Sequence, residues 1–280
     1  MLKNTKCKIA YGIMTACVFC AVLAAGYFLL FSEPERQSYQ IVTLGDSVFG
    51  QVRDDTAVPA HVSHLLGKSF YNAAFGGTCV ARADREFRLD KGNDSLSLVA
   101  LTQSILTRDF GPQQAAWVRG SNTEYFEETV DGLERIDFSG VETVLICQGL
   151  NDYYAGIPIR KEDGIGEEYT FEGALRKSLK ALRKVNPNMR IVFITPTYNW
   201  HLWSKQTCEE LNTGYGVLED YVDAEIRIAT ELGVEVIDLY HDFFPHEVWE
   251  DWERYTADGT HPNEAGRELM TERIVGYLRE

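Results

Sequence analysis

The sequence predicts an α/β protein whose parallel sheet is covered by helices on both faces. Short apolar, β-branched runs alternate with longer segments of helical spacing along most of the chain. Continuous apolar strands separated by helices are typical of buried parallel strands. The composition, 45% hydrophobic and 25% charged, is that of a globular protein and excludes collagen-like, disulfide-dense and disordered chains.

The first predicted elements are a strand, a helix and a second strand, followed by two helices. The β-branched run 40–44 ends at a glycine and predicts the first strand. Helical spacing over 57–66, with a proline near its start and a glycine after its end, predicts the first helix. The run 69–72 leads into two glycines and predicts the second strand. The segments 95–107 and 123–136 also have helical spacing.

The second half of the chain repeats this alternation. The apolar run 141–147 predicts the third strand, and the amphipathic segment 171–185, which ends at Asn-Pro, predicts a helix. The later elements are strands at 190–195 and 234–238 and helices at 217–232 and 263–278. The sequence contains no internal repeat and no second composition zone, so 40–280 is predicted to be one domain.

The N-terminal segment differs from the rest of the chain. Three lysines in the first eight residues precede an uncharged run over 9–31. As a helix this run is about 34 Å long, enough to cross a bilayer core of about 30 Å. The pattern predicts a cytoplasmic tail (1–8), a transmembrane signal-anchor (9–31) and a tether (32–39), with the body outside the cell membrane. The alternative is a cleaved signal peptide, which would give a secreted protein.

The body is strongly acidic. The first 32 residues hold three lysines and no acidic residue, so 24 basic and 42 acidic side chains remain, a net charge of −18. Because such a body repels polyphosphate, nucleic acid is not expected as a ligand.

Polar, glycine-containing segments follow the predicted strands, where parallel sheets bind their ligands. They are Gly45-Asp-Ser47, Asn72 to Thr78, Gly149-Leu-Asn-Asp152 and Asp258-Gly-Thr-His261. Each alone has a plain structural explanation, since such a tripeptide is usually a turn and an Asn-Asp pair is usually a helix N-cap. Their conjunction at strand ends favours a catalytic site.

The residue types in these segments fit acyl transfer. Ser47 is the candidate nucleophile, His261 the base that takes its proton, and Asp258 the carboxylate that orients the imidazole. The backbone N–H groups of Ser47 and Gly77 and the side-chain amide of Asn151 are candidate oxyanion donors. The Asp-x-x-His pattern also occurs at Asp238–His241, and the residues alone leave this second pair as a rival.

These four segments resemble those of the SGNH hydrolase superfamily, also called the GDSL esterases and lipases. The blocks of that family carry Ser, Gly, Asn and His, and the matches span 41–263 of this sequence, within a domain expected at 40–280. The resemblance implies a flavodoxin-like three-layer α/β/α sandwich with a mostly parallel five-stranded sheet. It also implies a Ser-His-Asp mechanism with no metal and no cofactor.

The resemblance also assigns the base. In the family the catalytic histidine immediately precedes the last helix, as His261 does here, and Pro262 suits the first turn of that helix. His241 lies too close to its strand and is expected to be structural.

The substrate is predicted from aromatic residues expected around the cleft. Tyr153, Tyr154, Trp200 and Trp203, together with Asp46, are the candidate substrate-binding residues. Flat rings with polar tips suit sugar rings, although such side chains can also simply pack loops. The sequence thus predicts an extracytoplasmic serine esterase that removes a short acyl group, most simply acetyl, from a carbohydrate. The alternatives are a lysophospholipase or thioesterase, an acyltransferase, and an inactive glycan-binding module.

Overall fold

The computed structural model describes residues 36–83, 92–116, 123–160 and 165–280. Within these ranges no helix is both long enough and apolar enough to cross a bilayer. The predicted tail (1–8) and transmembrane segment (9–31) lie outside the described residues.

The compact domain covers Gln37–Glu280, so it begins before the predicted boundary at residue 40. The backbone of Gln37 donates a hydrogen bond to the carbonyl of Arg135 (2.8 Å) and accepts one from the N–H of Asp137 (2.9 Å). Gln37, in the predicted tether, therefore pairs with the backbone at 135–137 and belongs to the domain.

The central sheet contains the parallel strands β1 (Ile41–Gly45), β2 (Phe70–Ala74), β3 (Thr143–Cys147), β4 (Arg190–Ile194) and β7 (Glu235–Ile237). Their order across the sheet is β2-β1-β3-β4-β7. A separate antiparallel hairpin pairs β5 (Trp200–His201) with β6 (Gln206–Thr207). The sequence did not predict this hairpin.

In the part of the chain that the structure describes, six longer helices flank the sheet: α2 (Val58–Leu66), α4 (Leu98–Thr107), α6 (Phe126–Arg135), α8 (Phe171–Val185), α9 (Leu218–Glu231) and α11 (Glu264–Leu278). The short helices are α1 (Ser47–Gly50), α3 (Gly92–Ser95), α5 (Gly111–Gln114), α7 (Leu150–Ala155) and α10 (Trp252–Tyr255). Single 3₁₀ turns lie at Phe138–Gly140, Glu167–Tyr169 and Trp249–Asp251.

The strand order divides the helices between two layers. The connection from β1 to β2 runs in one direction across the sheet, and those from β2 through β3 and β4 to β7 run in the other. Because parallel crossovers are right-handed, helices on oppositely directed connections cover opposite faces. Accordingly α2 packs against α11, whereas α4 packs against α8 and α8 against α9. The result is an α/β sandwich whose topological switch point, where ligands bind, lies between the carboxyl ends of β1 and β3.

Candidate active site

Ser47 is the first residue of α1 and lies just beyond the carboxyl end of β1. The side chain of Asp46 caps this helix by accepting a hydrogen bond from the N–H of Val48 (3.0 Å). Gly45 is required because a Cβ at this position would lie 2.5 Å from the carbonyl oxygen of Cys147 on the neighbouring strand. The close pairing of β1 and β3 thus explains the glycine, and helix capping explains the aspartate.

His261 connects Ser47 to Asp258. Its Nε2 lies 2.9 Å from Ser47 Oγ, and its Nδ1 lies 2.8 Å from Asp258 Oδ2. The other carboxylate oxygen accepts the N–H groups of Thr260 (3.1 Å) and His261 (2.8 Å). Burial would raise the pKa of Asp258, but the hydrogen bonds and charge of His261 hold that pKa below its usual value. The carboxylate is therefore ionised and can stabilise a protonated imidazole.

The Asp258–His261 turn is held against the β5–β6 hairpin. The N–H of Trp200 donates to the carbonyl of Gly259 (2.8 Å). Gly259 has φ +84°, and a Cβ there would collide with the Trp200 carbonyl, so only glycine fits. After the turn, Asn263 caps α11 through its side chain (3.0 Å to the N–H of Gly266). Pro262 therefore precedes the N-cap, which corrects the prediction that it lies in the first helical turn.

Gly77 and Asn151 are the remaining predicted oxyanion donors. Gly77 follows β2 in a turn with φ +75°, a conformation that favours glycine. Asn151, in the first turn of α7, directs its amide nitrogen to the carbonyl of Thr78 (3.1 Å) and to Asp46 Oδ2 (3.3 Å). The structure thus joins Ser47, His261 and Asp258 directly. Asn151 contacts Asp46, which precedes Ser47, and Gly77 follows Gly76, whose Cβ position lies 3.7 Å from the Ser47 Cβ.

Asp46 does not face the substrate, contrary to the prediction. Its side chain is buried, and burial raises its pKa to about 6, although the Val48 N–H, the nearby His261 and the amide of Asn151 each favour the ionised form. The carboxylate instead joins the start of α1 to Asn151. It is a positioning group beneath the site.

Two of the four predicted aromatic contacts are wrong. Trp200 and Tyr153 are 1% and 0% exposed and lie in the hydrophobic core. The Tyr153 hydroxyl bonds to His201 Nε2 (2.9 Å) and donates to the carbonyl of Leu211 (2.8 Å). Both rings are packed because the hairpin and α7 turn them inward.

Tyr154 and Trp203 remain as candidate contacts. The Tyr154 hydroxyl bonds to Thr260 Oγ1 (2.8 Å), next to the catalytic histidine candidate. Trp203 is 79% exposed in the turn of the hairpin. The ring of His201 lies 5.2 Å from the Tyr154 ring and 6.3 Å from the Trp203 ring.

Two residues near the site were not predicted as part of it. The buried carboxylate of Asp152 accepts the N–H groups of Val80 (2.7 Å) and Ala81 (2.9 Å), which ties α7 to the segment after β2. The hydroxyl of Tyr125 accepts the N–H of Gly76 (2.9 Å). Asp152 follows Asn151 directly, and in the sequence the pair is explained by helix capping, whereas no local signal marks Tyr125.

Comparison with protein families gives a match. The profile described as the GDSL-like lipase/acylhydrolase family matches residues 43–269, a range that contains all four segments. No curated protein sequence matches the chain.

Several solved structures share the fold. A protein from Lactobacillus plantarum has a TM-score of 0.62 at 18% identity, covering 87% of this chain and 98% of its own. A protein from Chitinophaga pinensis, described as a possible lipase, has a TM-score of 0.55 at 16% identity, and the match covers 86% of this chain and 98% of that protein. An active-site mutant of a family two carbohydrate esterase from Clostridium thermocellum has a TM-score of 0.50 at 16% identity, and the match covers 88% of this chain and 64% of that protein. At these identities the likeness establishes the fold and leaves the substrate open.

Proposed function

Because the chain belongs to the GDSL-like lipase/acylhydrolase family and is thereby a serine ester hydrolase, we propose that Ser47, His261 and Asp258 are its catalytic triad. The continuous chain of short contacts from Ser47 Oγ through the imidazole to the Asp258 carboxylate carries this proposal. His261 Nε2 takes the serine proton as Oγ attacks the ester carbonyl, and then gives it to the leaving alkoxide. Water, deprotonated by the same nitrogen, releases the acid from the acyl-serine.

The oxyanion that forms on the ester carbonyl needs donors that are already in place. We assign this role to the backbone N–H groups of Ser47 and Gly77 and to the amide of Asn151. The Asn151 amide now contacts the carbonyl of Thr78 and the Asp46 carboxylate. These contacts fix its position, and one N–H can turn from the longer contact with Asp46 to the developing charge.

We propose a short acyl ester of a carbohydrate, most simply an acetyl ester, as the substrate. The exposed Trp203 ring supports this choice, because it lies in the hairpin whose first strand bonds to the catalytic turn at Gly259. Sugar rings stack on such flat faces, while the Tyr154 and Thr260 hydroxyls supply polar contacts. The fold neighbour that is a carbohydrate esterase is consistent with this class of substrate.

We further propose that residues 9–31 anchor the protein in the cell membrane with the catalytic domain outside. The lysine-flanked apolar run supports this orientation. Digestion of intact cells with an external protease tests it. Loss of the catalytic domain is expected, and protection of that domain in intact cells would contradict the proposal.

The substrate proposal is tested with full-length protein in detergent. The panel is p-nitrophenyl esters of increasing chain length, acetylated sugars and a lysophospholipid. We expect activity to be highest with acetyl esters, and an acetylated sugar to be a better substrate than p-nitrophenyl acetate in kcat/KM. A preference for long chains or for the lysophospholipid would instead indicate a lipid acylhydrolase. Acyl transfer to an added sugar in preference to water would indicate an acyltransferase.

A further inference from the structure

Tyr125 lies beside the glycine pair that supplies one of the oxyanion donors. Its hydroxyl accepts the N–H of Gly76 at 2.9 Å. A Cβ built on Gly76 would lie 3.4 Å from this hydroxyl and 3.7 Å from the Cβ of Ser47. Tyr125 therefore reaches the part of the chain that borders the nucleophile.

The conformation of the Gly76–Gly77 pair depends on the contacts that the surrounding fold makes with it. Two consecutive glycines form the least restricted backbone in a protein. The carbonyl of Gly76 and the N–H of Gly77 belong to one planar peptide group, so the direction of that N–H follows the conformation of Gly76. The direction of the Gly77 N–H depends on the preceding peptide plane, which carries the Gly76 N–H, and on the φ and ψ angles of Gly76. A bond that fixes the Gly76 N–H removes the first of these freedoms.

Tyr125 is itself held by a cation and by its own helix. The Arg53 guanidinium lies 4.4 Å from the centre of the Tyr125 ring. The same guanidinium donates to the carbonyl of Asn72 (2.8 Å) and to Thr129 Oγ1 (3.2 Å). The Tyr125 carbonyl accepts hydrogen bonds from the N–H (3.0 Å) and the hydroxyl (2.7 Å) of Thr129. The hydroxyl is thus fixed relative to both β2 and α6.

We infer that Tyr125 is a positioning residue for the oxyanion hole: its hydroxyl holds Gly76 so that the Gly77 N–H is directed at the developing oxyanion. The inference rests on the esterase chemistry proposed above. A donor that is aligned in advance stabilises the transition state more than the bound substrate. Loss of the hydroxyl therefore lowers kcat and leaves KM nearly unchanged.

Tyr125→Phe tests this role, since the ring over Arg53 is kept and only the oxygen is lost. We expect kcat to fall about tenfold with KM within about twofold of wild type. The inhibition constant of a boronic acid that forms a tetrahedral adduct with serine should rise by about the same factor as kcat falls. Melting temperature, measured on the same samples, shows that the variant is folded.

Tyr71→Phe is the matched control. The Tyr71 hydroxyl donates to the carbonyl of Thr129 at 2.9 Å, on the same helix but away from the glycine pair. This variant should change the melting temperature and leave kcat near wild type. A Tyr125→Phe enzyme with wild-type kcat and boronate affinity, or one that loses no more activity than Tyr71→Phe, would overturn the inference. An active Ser47→Ala enzyme would instead refute the proposed function itself.

Discussion

The chain contains two Asp-x-x-His turns with almost the same internal geometry. In one, Asp258 Oδ2 lies 2.8 Å from His261 Nδ1; in the other, Asp238 Oδ2 lies 2.7 Å from His241 Nδ1. In each, the second carboxylate oxygen accepts two backbone N–H groups from the turn. The tetrapeptide alone therefore builds an oriented Asp–His pair in either place.

The two turns differ in what the outer nitrogen of the histidine faces. His261 Nε2 faces Ser47 Oγ at 2.9 Å, whereas His241 Nε2 faces Glu219 Oε1 at 3.6 Å. Burial would lower the pKa of His241, but its bonds to Asp238 and Glu219 raise it above the usual value. His241 is thus placed between two carboxylates that stabilise its charged form. A base needs a neutral nitrogen next to a proton to remove, and only the turn at 258–261 has a hydroxyl there.

Removal of the nucleophile should have the largest effect. In Ser47→Ala, the imidazole of His261 has no hydroxyl to activate, so kcat for p-nitrophenyl acetate should fall on the order of a millionfold. Steady-state hydrolysis at enzyme concentrations high enough to detect residual turnover measures this. Retention of more than a few per cent of activity would exclude Ser47 as the nucleophile.

Replacing each histidine by alanine separates the two turns directly. His261→Ala should lose at least about a thousandfold in kcat because the general base is gone. His241→Ala should stay within about twofold, since the two nitrogens of its imidazole face carboxylates and not Ser47. Equal losses in two folded variants would show that the contact with Ser47 does not decide which pair is catalytic.

Asn151→Ala tests the oxyanion side of the site. Loss of a transition-state donor should lower kcat by roughly a hundredfold, about 2.7 kcal/mol, with little change in KM. If Asn151 served only to join α7 to Thr78 and Asp46, the variant would instead lose about 1 kcal/mol of stability and keep its kcat. Kinetics and thermal unfolding of the same preparation distinguish the two outcomes.

The second position of the two turns offers a smaller test. It is Gly259 at the active site and the buried Leu239 in the other turn. Gly259→Ala adds backbone strain of order 1–3 kcal/mol and a collision of the new Cβ with the Trp200 carbonyl. Because the turn must move to relieve both, His261 should shift and kcat should fall about tenfold. Gly233→Ala is the control, because Gly233 has φ +63° with open space around its Cβ position. That variant should lose stability without losing kcat, and similar kcat losses in both variants would contradict the positional argument.

The pH dependence of stability should show the smallest effect. Because the folded-state pKa of His241 is raised from 6.5, its charge stabilises the fold below that pH, and the contribution disappears as the pH rises through the folded pKa. The pair is partly exposed, so we expect at most about 1 kcal/mol. Urea unfolding of wild type and His241→Ala at pH 6 and pH 9 measures it. A stability difference that grows toward pH 9 would reverse the assigned sign.

The fold and the central site could be predicted because both depend on local patterns. Apolar runs mark the parallel strands, and residues that follow parallel strands meet at one edge of the sheet. Ser47, Gly77 and Asn151 each follow such a strand, so their positions along the chain were enough to predict that they lie together.

Side-chain direction could not be predicted in the same way. Tyr153 and Tyr154 are adjacent on α7, where successive side chains differ by about 100°, so one enters the core and the other reaches Thr260. Trp200 lies in the first strand of the hairpin and Trp203 in its turn, and this hairpin has no strong sequence signal. Tyr125 contacts Gly76 only through the tertiary fold. These positions depend on packing between distant segments.

The central claim is that the contact between His261 and Ser47, not the Asp-x-x-His tetrapeptide, creates the active pair. The most direct test is the rate at which a fluorophosphonate labels the wild type, His261→Ala and His241→Ala, with the modified residue identified by peptide mass spectrometry. We expect one adduct, on Ser47, formed at the wild-type rate in His241→Ala and at least about a thousandfold more slowly in His261→Ala. Labelling at another residue, or a rate that depends on His241 rather than on His261, would contradict the claim.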